Sequence, residues 1–165
     1  MSQTLDDTPL PSPTDTRPNS PFSNLDRSLH YYLPGGDLYV QIDNTLFRIH
    51  SYFLIRESFI WRHLLRGNTI GRTQRDPVIL RDTLPIPSFT TPDTFADFLW
   101  IFYNPMYSVY QAPSETWFTI LSYAITWGMD NICDLVYREL SRSVDNHLTT
   151  STGWLTMHAD DELDR

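Results

Sequence analysis

The sequence predicts an α+β domain, a small β-sheet flanked by about five helices. Three observations carry that prediction. Residues 37–49 alternate apolar and polar side chains with a period of two. From Ser51 onward the apolar spacing changes to three and four. Breakers at Pro34-Gly35-Gly36, Gly67, Pro85, Pro87, Asn104-Pro105 and Gly128 then divide the chain into short elements.

Residues 1–34 form a Pro-rich N-terminal segment. Pro9, Pro11, Pro13, Pro18 and Pro21 stand among Ser, Thr and Asp with no aromatic residue before Phe22. Residues 1–21 are therefore expected to be disordered, because they bury too little apolar surface to offset ordering entropy. Residues 22–33 are ambiguous: Leu25, Leu29, Tyr32 and Leu33 fall at helical spacing, compatible with a short amphipathic helix.

The main domain spans 35–142. Leu38, Val40 and Ile42 face one way and Tyr39 and Gln41 the other, which reads as a half-buried strand. Asp43-Asn44 turns the chain into a second strand, Leu46 to Ile49, giving a hairpin. A helix starts near Ser51, and Ser58 reads as the N-cap of another carrying Trp61, Leu64 and Leu65. Asn68 to Asp76 is a polar loop, and Pro77 to Leu80 a short third strand. Thr91-Pro92-Asp93 is a strong helix start before the stripe Phe95, Phe98, Leu99 and Phe102. Ser114-Glu115 opens a helix with Trp117, Leu121, Ala124 and Ile125 inward, and Asp130 caps a last one carrying Ile132, Leu135, Val136 and Leu140. Residues 143–165 read as a loose acidic tail.

Composition excludes several classes. The net charge of −8 over 165 residues disfavours direct nucleic-acid binding. Charge is zoned: residues 43–81 hold seven Arg against Asp43, Glu57 and Asp76, whereas 82–140 hold seven acids against Arg138 alone. A single cysteine, Cys133, rules out an intrachain disulfide framework and reads as a small core residue. No apolar region follows Met1 and no run approaches the ~20 residues of a membrane span, so cytoplasm or nucleus is expected and no membrane partner.

Chemistry is not legible. The chain has no G-x-S-x-G, no phosphate-binding Gly-rich loop and no lysine. His30, His50, His63, His147 and His158 lack metal-ligand spacing. Without a convergent constellation, no enzyme activity, cofactor or metal is expected. Asp37 and His50 sit at element ends, where side chains satisfy free backbone groups. Trp100 falls off the 95/98/99/102 stripe and is expected to point outward as an interface anchor.

The order of elements and several residues resemble the BTB/POZ family. Asp37 opens the first strand, and Phe47, Ile49 and His50 match the family's Phe-x-hydrophobic-His. Ser58, Trp61 and Leu64 match its next helix, and Phe95 to Tyr103 its Phe-rich helix. Leu121, Ala124, Trp127, Ile132, Leu135 and Leu140 fall in register with its closing pair. Phe102-Tyr103-Asn104-Pro105 and Trp117 resemble the single-domain BTB proteins numerous in fungi. The resemblance covers about residues 35–141.

The resemblance implies a BTB/POZ fold used as a protein–protein interaction module, without catalysis, that pairs with itself or another BTB protein. Leu25, Leu29, Leu33, Tyr52 and Phe53 would then supply the dimer surface. A second implication is a cullin-binding adaptor of a ubiquitin ligase, with Leu65, Arg66, Ile70, Arg72 and Tyr103 near the docking surface. A third is transcriptional co-regulation through a DNA-binding partner. The family's cullin binders carry hydrophobic-x-Glu where this chain has Ile70-Gly71-Arg72, a charge reversal that weakens the second implication. The lysine-free composition would leave only the N-terminal amine for ubiquitin, and compositional bias is the simpler account.

Overall fold

The computed structural model describes residues 25–104 and 112–142. The expectations placed on residues 1–24, on Pro105 and on the 143–165 tail lie outside the described residues. The architecture is a four-stranded sheet with six helices among the described residues. The strands are β1 (Asp26–Tyr32), β2 (Leu38–Ile42), β3 (Thr45–Ile49) and β4 (Val78–Ile79). The helices are α1 (Ser51–Glu57), α2 (Phe59–Leu65), α3 (Leu80–Thr83), α4 (Pro92–Tyr103) and α5 (Ser114–Thr126), followed by α6 over 130–142.

The hairpin forms where alternation places it. β2 and β3 pair antiparallel, with Val40 opposite Phe47 and Leu38 opposite Ile49. Leu38, Val40 and Ile42 are buried, and Tyr39 and Gln41 are half-buried. Asp43 takes φ 51° in the two-residue turn, a left-handed conformation that aspartate tolerates better than most residues. β4 adds to β2 in parallel through Val40 and Val78. Gly71 extends that edge: its carbonyl accepts from the Tyr39 N–H at 2.7 Å.

Residues 26–32 are a strand, not a helix. β1 runs parallel to β3, with Asp26 opposite Thr45 and Tyr32 opposite Arg48. The Asp26 N–H donates to Asn44 O and the Leu33 N–H to Arg48 O. A short isolated helix is marginal in water, whereas the open edge of β3 offers main-chain partners. The register shifts between Arg27 and Tyr32, and inside this bulge the Tyr31 N–H donates to Ser28 Oγ. The sheet order is β1-β3-β2-β4, so β1 forms one edge.

Caps define the helices. Ser58 Oγ accepts from the Trp61 N–H and donates to the Trp127 carbonyl at 2.6 Å, tying α2 to the end of α5. Thr91 and Thr94 form a reciprocal capping box with Pro92 in the first turn. The third strand is shorter than expected, because Leu80 already begins α3. Thr83 Oγ1 donates to Ile79 O there, and Arg81 reaches both Asp43 and the Thr90 carbonyl.

Aromatic side chains fill the core between sheet and helices. Phe47 meets Phe95 edge-on at 4.9 Å, and Trp61 meets Trp127 edge-on at 5.3 Å. Phe98, Tyr123 and Trp127 complete the cluster, all fully buried. α5 is rotated relative to the expected stripe: Trp117, Ile120, Tyr123 and Ala124 face inward, and Ile125 is exposed. Burying Tyr123 against Phe95 and Phe98 decides that rotation, and its hydroxyl finds Thr90 Oγ1 at 3.1 Å.

Candidate interaction surface

Asp37 holds the strand-to-helix junction together. Its carboxylate accepts from the Ser51 N–H at 2.7 Å and the Ser51 hydroxyl at 2.6 Å, and pairs with Arg72 at 3.3 Å. It thus caps α1 from a distance, since the N-cap residue His50 makes no side-chain cap of its own. Partial burial pushes the carboxyl up, but the Ser51 bonds and Arg72 outweigh it and hold Asp37 below the ordinary carboxylate range.

His50 and Tyr103 form the second joint. The Tyr103 hydroxyl accepts from the His50 N–H at 2.9 Å and lies 3.2 Å from His50 Nδ1. Burial raises the Tyr103 phenol, and the Asp37 charge adds to that. Around this joint the rings form a continuous face. Tyr31 of β1 lies 5.5 Å from Tyr103, Tyr103 lies 5.2 Å from Phe53, and Phe53 stacks on Phe102 at 5.7 Å. Tyr52 continues the chain of rings outward from Phe53, with the Arg56 guanidinium over it at 5.5 Å.

The residues singled out in the sequence fall into separate environments. Leu29 on β1 is 96% exposed, and Tyr52 on α1 is 62% exposed. Leu25, Leu33 and Phe53 are half-buried. Leu65, by contrast, is a core residue at 3% exposure and cannot meet a partner in this state. Arg66 and Arg72 are exposed, and Ile70 packs on the core. Trp100 does not stand outward: it is half-buried, packs against the core and meets Trp117 edge-on at 5.8 Å. The motif residues Phe47, Ser58, Trp61 and Phe95 are fully buried joints of the fold.

Sequence reasoning passed over Phe59. It is 70% exposed at the start of α2 and stacks on His63. Leu29, Phe59 and Tyr52 are the three most exposed large hydrophobic residues among those described. All three belong to β1, α1 and α2. The signal available in sequence was the spacing of Phe59 from Trp61: two residues apart on one helix, they point to different sides.

Among the described residues, no group of three His, Cys, Asp or Glu side chains converges to hold a metal ion. No helix among them is long and apolar enough to cross a membrane. No protein-family model matches the chain, and no curated protein matches it.

Proposed function

We propose that this chain is a BTB/POZ-type protein–protein interaction module that pairs with a second copy or a related domain through the β1 edge and the α1–α2 face. One observation carries the reading. An edge strand bearing the solvated Leu29 belongs to the same sheet-and-helix unit that exposes Tyr52 and Phe59. Unpaired strand edges and exposed aromatic residues favour association with another polypeptide. The joints made by Asp37, His50, Ser58 and Trp61 add support, because the residues that resemble the family are the ones fastening elements together.

The cullin-adaptor reading draws less support. Arg72 puts positive charge where the family's cullin binders carry an acid, and it is already paired with Asp37. The test is solution mass by light scattering across a dilution series. The intact chain is expected to dimerise, and Leu29→Asp with Phe59→Ser to shift it toward monomer at unchanged helix content. A strict monomer at every concentration would sink self-pairing and leave only a related domain as partner. Unaltered dimerisation of the double variant would exclude this face.

A further inference from the structure

An open groove of about 390 Å³ lies between β1 and the α4–α5 pair, lined chiefly by His30, Tyr31, Asp97, Trp100, Pro113 and Thr116. Rings contribute much of its wall, and Asp97 is the one carboxylate lining it. Among the described residues the Asp97 carboxylate accepts no hydrogen bond and joins no ion pair. Desolvation, and then the neighbouring Asp93, push its carboxyl above the ordinary aspartate range. A carboxylate beside aromatic rings, with no cation of its own, is complementary to a positive group.

We propose that this groove binds the guanidinium group of an arginine side chain presented by a partner protein. A guanidinium is planar, stacks on rings such as Tyr31 and Trp100, and directs its N–H donors in the plane toward a carboxylate such as Asp97. An ammonium group is more strongly hydrated and has no flat face to stack. The Thr116 hydroxyl, on α5, offers a neutral acceptor in the same groove. His30 and Tyr31 belong to β1, so the groove adjoins the edge strand of the sheet. The inference therefore deepens the reading of β1 as a docking edge, while the chemistry of the groove stands on Asp97 and the rings.

The test titrates the full, ¹⁵N-labelled chain with N-acetyl-arginine amide, N-acetyl-lysine amide and the uncharged N-acetyl-citrulline amide. The indole N–H of Trp100 and the amides of Tyr31 and Thr116 report occupancy. Arginine is expected to give saturable shifts confined to these groups, with lysine several-fold weaker and citrulline not saturating. Asp97→Asn is expected to weaken arginine binding about tenfold. Equal responses to citrulline and arginine, or an undiminished response in Asp97→Asn, would overturn the site. An equal response to lysine would overturn the assignment to guanidinium. Light scattering on the same samples separates this inference from the docking edge: self-association with no arginine response sinks the groove alone, and an arginine response in a strict monomer sinks self-pairing alone.

Discussion

At the scale of single residues, polar side chains at element ends bear more of the architecture than their number suggests. Asp37 joins β2, α1 and the 68–76 loop through Ser51 and Arg72. Its carboxyl is held low in the folded chain, so its contribution is fully present above the unfolded value of about 3.9 and is lost as pH falls through the lower folded value. Urea unfolding is expected to show Asp37→Asn less stable than the native chain at pH 7, with the gap closing in acid. Ser58→Ala removes a cap and leaves the buried Trp127 carbonyl without its donor, so a loss of about 2 kcal/mol is expected in the same assay. Gly71 sits at φ 75°, and a Cβ there would fall 2.6 Å from Leu38 Cδ1 and 3.2 Å from the Tyr39 carbonyl. Gly71→Ala is expected to cost roughly 1–3 kcal/mol by thermal unfolding. Ser58 was legible in the sequence because capping is local chemistry. The constraint on Gly71 was not, because it comes from a strand about thirty positions earlier in the chain.

At the scale of elements, the sequence is most informative where periodicity and local stops agree. The hairpin, the Ser58 cap and the Thr91-Pro92 helix start follow from neighbouring residues alone. β1 does not. Leu29 and Tyr32 within it, with Leu25 just before, fit a helical spacing, and the exposed edge of β3 outweighs that preference through main-chain pairing. The rotation of α5 has a similar origin: Ile125 and Tyr123 are both hydrophobic, and packing against Phe98 selects the tyrosine. The bulge between Arg27 and Tyr32 interrupts the β1–β3 register, which has three paired positions against five between β2 and β3. Amide hydrogen exchange is accordingly expected to be faster in 28–31 than in β2 and β3, and to slow at high protein concentration where β1 pairs with a partner. Equal protection of all three strands at low concentration would contradict that expectation.

At the scale of the whole molecule, the sequence shows the zoning of charge and the existence of one core, but not which apolar side chains remain outside it. Seven arginines between 43 and 81 and seven acids between 82 and 140 divide the charge along the chain into two zones. Leu29, Tyr52 and Phe59 are uncharged, so pairing through them is expected to persist or tighten when salt is raised well above physiological strength. A dimer that dissociates on adding salt would instead assign the contact to the two charged zones, a result that sedimentation at several ionic strengths reads directly. The buried pair Trp61–Trp127, with ring planes at 86° and centroids 5.3 Å apart, also has an optical consequence. Two indoles that close couple their electronic transitions, so the native chain should carry an exciton couplet in its circular dichroism. That couplet depends on the mutual orientation of α2 and the end of α5. Its disappearance would register loosening of the core even where every helix remained intact.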